Sequence, residues 1–163
     1  MNRKVSFALI FGLILMTTPG DAAEEAAMTQ GQTVYVPIYS HVLHGNHGRS
    51  GNPDSALFSA MLSIRNTDAD DPITVLLARY YDTSGKHLRD YYETPMTLPP
   101  MASTELFIEH RDAAGGTGAN FLVTWDAKKP VNPPIIEAVH ANLFGSTGAI
   151  FIVRGQPVNV HKR

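Results

Sequence analysis

Short runs of alternating apolar and polar residues, each cut off by a turn signal, confine this chain to β-structure. In one run Phe58, Ala60, Leu62 and Ile64 point one way, while Ser59, Ser63 and Arg65 point the other. Phe121, Val123 and Trp125 likewise oppose Asn120, Thr124 and Asp126, and Val34, Val36 and Ile38 oppose Tyr35, Pro37 and Tyr39. One apolar face per strand is what antiparallel sheets need to cover a shared core.

Eight β-rich runs follow from this pattern: Thr33–Ser40, Ala56–Asn66, Ile73–Asp82, His87–Tyr92, Thr104–His110, Asn120–Ala127, Ile135–Phe144 and Ala149–Arg154. Gly-, Pro- and Asn-rich segments separate them, among them Gly45–Gly48, Asn66–Pro72, Thr83–Gly85, Leu98–Pro100 and Asp112–Gly118. No run has the length and 3.6-residue period of an amphipathic helix. Ile73–Asp82 and Ile135–Phe144 are apolar on both sides, the mark of a central strand or of a bulge, and alternation does not assign their inward faces. The pattern predicts an all-β fold: an antiparallel β-sandwich, immunoglobulin-like in the broad sense, with about seven or eight strands and a buried Trp125. A small open barrel is the alternative.

The first residues read as an address. Arg3 and Lys4 precede an apolar run from Val5 to Met16, and Gly20-Asp21-Ala22 offers small residues around a cut. Such a run spans about 18 Å as a helix, against roughly 30 Å of bilayer hydrocarbon, so it is read as an export signal and not as an anchor. Cleavage is expected after Ala22 or Ala23. The predicted organisation is a signal peptide over 1–22, a flexible leader over 23–32 and a single domain over 33–160, with no transmembrane segment in the mature chain. The protein is expected in the periplasm or outside the cell.

Composition narrows the function classes. Hydrophobic residues make up 44% of the 163 and charged residues 17%, which suits one globular domain. A formal net charge of −2 argues against nucleic acid as a partner, because such binders carry clustered basic excess. The absence of cysteine excludes disulfides, thiolate metal sites and a cysteine nucleophile.

Several blocks carry a resemblance. They are Tyr35–Ser40, Leu62–Asp68, Ile73–Val75, Tyr80–Asp82, Met101–Glu105, Gly115–Phe121 and Pro134–Val139. Together they cover most of the chain after the signal, which resembles the bacterial secreted family catalogued as domain of unknown function 3124. That resemblance implies an exported protein and brings no catalytic residues with it.

Two constellations have chemical content. His41, His44 and His47 recur at every third position beside a glycine turn, and neutral imidazoles at that density suit zinc or copper. In an extended strand, however, His41 and His44 face opposite ways, so they converge only if the strand ends or bulges near Leu43. The Asp112–Asn120 loop is glycine-rich, but it leads into a strand and lacks the Gly-Lys-Ser/Thr ending of phosphate-binding loops. No serine nucleophile motif is present. Tyr80-Tyr81 and Tyr91-Tyr92 flank the Gly85 hairpin and are expected to pair across it, two rings in the core and two on the surface.

The leading expectation is an exported cell-envelope module that binds a protein or other macromolecule without catalysis or cofactor. Tyr39, Arg49, Arg65, Asp68, Asp112 and Asn120 are the candidate binding residues, since binding sites favour loops held on a rigid scaffold. The alternative is a small periplasmic protein that binds zinc or copper through His41, His44 and His47.

Overall fold

The computed structural model describes residues 27–49, 51–143 and 148–159. The expected export signal, the first four residues of the leader and the end of the expected domain at 160 lie outside the described residues. No helix among the described residues is long and apolar enough to cross a membrane.

The described chain is all-β and antiparallel throughout. The strands are β1 (Thr29–Ile38), β2 (His41–His44), β3 (Asp54–Leu57), β4 (Ser59–Arg65), β5 (Ile73–Tyr81) and β6 (His87–Asp90). They continue with β7 (Met96–Leu98), β8 (Ser103–Ile108), β9 (Ala119–Val131), β10 (Ile135–Asn142), β11 (Ala149–Arg154) and β12 (Gln156–Val158). A first sheet has the order β12-β1-β9-β5, with β6 and β7 sharing the far side of β5. The second runs β11-β10-β4-β8, and β2 pairs with β3 in a separate hairpin.

The two larger sheets share one core. Val34, Val36 and Ile38 of β1, Phe121, Val123 and Trp125 of β9, and Ile73, Val75, Ala78 and Tyr80 of β5 come from the first. Ala60, Leu62 and Ile64 of β4, Leu106 and Ile108 of β8, and Ile136 and Ala138 of β10 come from the second. Those of β1, β4 and β9 are the inward positions that the alternation picks out, and Trp125 is buried among them.

Among the described residues twelve strands replace the expected seven or eight. The chain continues past Ser40 as β2, and the run Ala56–Asn66 divides at Phe58 into β3 and β4 because it leaves one ladder and enters another. β7 and β12 have three residues each, too few to display a period of two. β1 begins at Thr29, so the last four residues of the expected leader lie in this strand.

The two doubly apolar runs have different physical origins. Against β9, the register of β5 shifts between Val75 and Leu77. This bulge moves the buried face from Ile73 and Val75 to Ala78 and Tyr80, leaving Leu76 at the surface. β10 is an interior strand of the second sheet, with Ile136, Ala138 and His140 buried. Its other face carries Ile135, Val139 and Ala141 outward.

A single residue, Gly155, joins β11 in the second sheet to β12 in the first. Its N–H donates to the Ile136 carbonyl at 2.8 Å. A Cβ there would meet Val34 Cγ1 at 2.6 Å, so the crossing needs glycine.

Candidate functional site

The sequence-predicted binding residues fall at two ends of the molecule. Tyr39, Asp112 and Asn120 lie near the start of β4, whereas Arg65 ends this strand and Asp68 follows it, about 20 Å away along the strand. Arg49 is exposed in the loop between β2 and β3.

At the first end, the glycine loop is held tightly. Ser40 N–H donates to Gly116 O at 3.1 Å and Thr83 N–H to Gly115 O at 2.9 Å. The Thr83 hydroxyl also donates to Gly115 O and accepts from Gly118 N–H. Asp112 accepts from Ala114 N–H at 3.2 Å and pairs with Arg89. The Arg89 guanidinium in turn lies over the Tyr80 and Tyr91 rings, 5.6 and 5.4 Å from their centroids. Tyr80 is fully buried and its hydroxyl meets Ser40 Oγ at 3.2 Å. Burial pushes the Tyr80 and Tyr91 hydroxyls above the usual phenol range. Tyr80 and Tyr91 meet edge-on at 6.5 Å, while the half-buried Tyr81 stacks obliquely with His87. Tyr92 is partly buried against the core.

At the other end, the Asp68 carboxylate is occupied by the chain itself. Oδ1 accepts from Asp70 and Asp71 N–H, and Oδ2 from Asn132 N–H, all at 3.0 Å. The amides of Asn132 and Asp70 hold its pKa below the ordinary carboxylate value. Asp68 thereby ties the β4–β5 connection to the segment between β9 and β10. Arg65 is exposed on the last position of β4, opposite Ser103 and Ile135.

His41 and His44 end up three positions apart within paired strand β2, opposite Leu57 and Asp54. The odd spacing puts them on opposite faces, and His47 follows in the exposed loop. Among the described residues, no group of three His, Asp or Glu side chains gathers where it would hold a metal ion.

The feature that sequence reasoning missed is the outer face of the second sheet. Register places Ile152, Val139, Met61 and Phe107 side by side across all four strands. Ile152 and Phe107 are each 59% exposed and Met61 37%. Ile150, 61% exposed, extends this apolar row on one side beside Ala141. On the other side runs a polar row of Arg154, Glu137, Ser63 and Glu105. The outer face of the first sheet is different in kind. There Thr33 and Thr124 bond through their hydroxyls at 2.9 Å, and Arg79 pairs with Asp90 at 3.2 Å.

A signal for this face existed in the sequence. Leu106-Phe107-Ile108 and Ile150-Phe151-Ile152-Val153 are apolar at successive positions, more than a sheet covered on one side uses.

These features define an all-β chain with one core and an exposed apolar sheet face rimmed by charge. The chain belongs to the family described as protein of unknown function (DUF3124), whose model matches residues 31–158. No curated protein matches it. A solved structure described as the crystal structure of Thermotoga maritima 1070 is similar over 79% of this chain and 96% of that one. The two are 12% identical, with a TM-score of 0.44.

Proposed function

We propose that this chain is an exported cell-envelope module that binds a protein through the outer face of β11-β10-β4-β8, without turning over a substrate. The observation that carries this reading is the row Ile152–Val139–Met61–Phe107, which sets large apolar side chains in water beside a charged rim. A contiguous apolar patch bordered by polar residues is the usual mark of a protein interface. The core shared by the two larger sheets supports a β-sandwich, immunoglobulin-like in the broad sense, as the rigid platform for that face. Export rests on the charged start, apolar run and small-residue site of residues 1–22.

The test is photocrosslinking in the native cell, with the reactive group placed in turn at Phe107, Ile152 and, as a control, Thr33. The same discrete adduct from Phe107 and Ile152, lost when Met61→Asp is added and missing from Thr33, is the expected result. Adducts that do not distinguish the two sheets would remove this face as the binding site.

A further inference from the structure

We propose that the partner on this face is a second copy of the chain, related by a two-fold axis running along the strands. This rests on reading the face as a protein interface, and the self-complementary layout of its rows carries it further.

A two-fold along the strands and between β10 and β4 reverses strand order while keeping each row at its own height. β11 then covers β8 of the second copy, and β10 covers its β4. Within the apolar row, Ile152 meets the second copy's Phe107 and Val139 meets its Met61. Within the polar row, Arg154 meets the second copy's Glu105, and Glu137 comes over the position of its buried Ser63 rather than over another acid. One position further along, the aliphatic stem of Arg65 lies over the second copy's Ile135, which is 47% exposed. Ile150 comes to the end of the second copy's β8, where a depression lined by Ser59, Phe107, Glu109, His110 and Arg111 opens.

The competing symmetry is disfavoured by the same register. A two-fold across the strands would lay Arg154 on Ile150 and Glu137 on Ala141, stripping water from charges without pairing them. An isologous contact needs a surface that complements itself under rotation, and the strand-parallel axis supplies that for apolar and charged rows together.

Area sets the strength. Four strands at about 4.8 Å spacing and four rows at about 7 Å give a face of roughly 540 Å² per copy. The pair therefore buries about 1,100 Å², just short of the roughly 1,200–2,000 Å² of stable complexes, so the dimer is reversible and concentration-dependent.

Sedimentation of purified residues 23–163 from about 1 μM to 1 mM tests this directly. The expected result is a monomer–dimer equilibrium within that range and a monomer throughout for Phe107→Asp with unchanged thermal unfolding. Because symmetry repeats the Arg154–Glu105 contact twice, Glu105→Arg or Arg154→Glu alone should raise the midpoint about fivefold to tenfold. The double swap should return it close to the wild-type value. A wild-type chain monomeric at 1 mM, or a dimer indifferent to Phe107→Asp or to the swaps, overturns the proposal. If the chain is monomeric yet Phe107 crosslinks to a different protein in the cell, self-pairing fails and the protein-binding face stands. If neither dimer nor adduct forms, both fail.

Discussion

The backbone N–H of Tyr39, just past the end of β1 in the first sheet, donates to Nε2 of His140 in β10 of the second at 3.1 Å. His140 is fully buried and lies flat on Phe151, with ring centroids 4.5 Å apart. Because Nε2 accepts, the ring is neutral with its proton on Nδ1. Burial pushes its pKa down to about 4.

That contact predicts a pH dependence. In the unfolded chain His140 titrates near 6.5, whereas the folded protein refuses the proton until about 4. Stability should be level above pH 6.5 and fall as pH drops to 4, by about 3 kcal/mol from this group. Urea unfolding across pH 4–7 checks it. His140→Gln keeps an acceptor for Tyr39 N–H and should flatten the slope over that range, and an undiminished slope would assign it elsewhere.

Asp68→Ala leaves three amides without their acceptor at a buried position, so it should destabilise by about 2–4 kcal/mol in denaturant melts. Asp68→Asn should cost less, since one oxygen remains. The lowered pKa means that the wild-type contribution persists above ordinary carboxylate values and is lost as pH falls through the depressed folded value. A stable, normally folded Asp68→Ala would return this residue to the list of ligand-binding candidates.

Gly115→Ala tests why the loop is glycine-rich. A Cβ there would stand 2.8 Å from Tyr80 Cζ and 2.7 Å from Ala119 Cβ, overlapping the Tyr80 hydroxyl as well. Tyr80 is locked in the core, so the loop must shift, at about 1–3 kcal/mol. Tyr80→Phe in the same chain should recover part of the loss in thermal melts. No recovery would place the strain on Ala119 instead.

Zinc and copper should leave the melting temperature unmoved, because His41 and His44 project from opposite faces of a paired strand. An ion at about a hundred times its dissociation constant would add roughly 2.7 kcal/mol, a shift of several degrees. Such a shift, vanishing in His44→Ala, would establish the histidine site and show that β2 and β3 separate to form it.

Local chemistry made the inward faces legible. Phe58, Ala60, Leu62 and Ile64 are buried where alternation puts them, as are Phe121, Val123 and Trp125. Alternation failed where one residue changes the phase, as Leu76 does in β5. It also failed where a strand had only three residues, as in β7 and β12. Of the candidate residues, Asp112 found its partner in Arg89, 23 positions away, which no local pattern encodes. The apolar outer face was hidden for a deeper reason. A strand apolar on both sides reads the same whether a second layer covers it or water does, and only the assembled register shows which.

Gly155 carries a consequence for how the chain is made. β1 must wait for β9 and then for β12, which follows Gly155 and pairs with β1 along the edge of the first sheet. Contacts so distant in sequence form late, since loop closure must precede them. A polypeptide made N-terminus first therefore leaves the apolar stripe of β1 uncovered until β9 has been added, about eighty residues later.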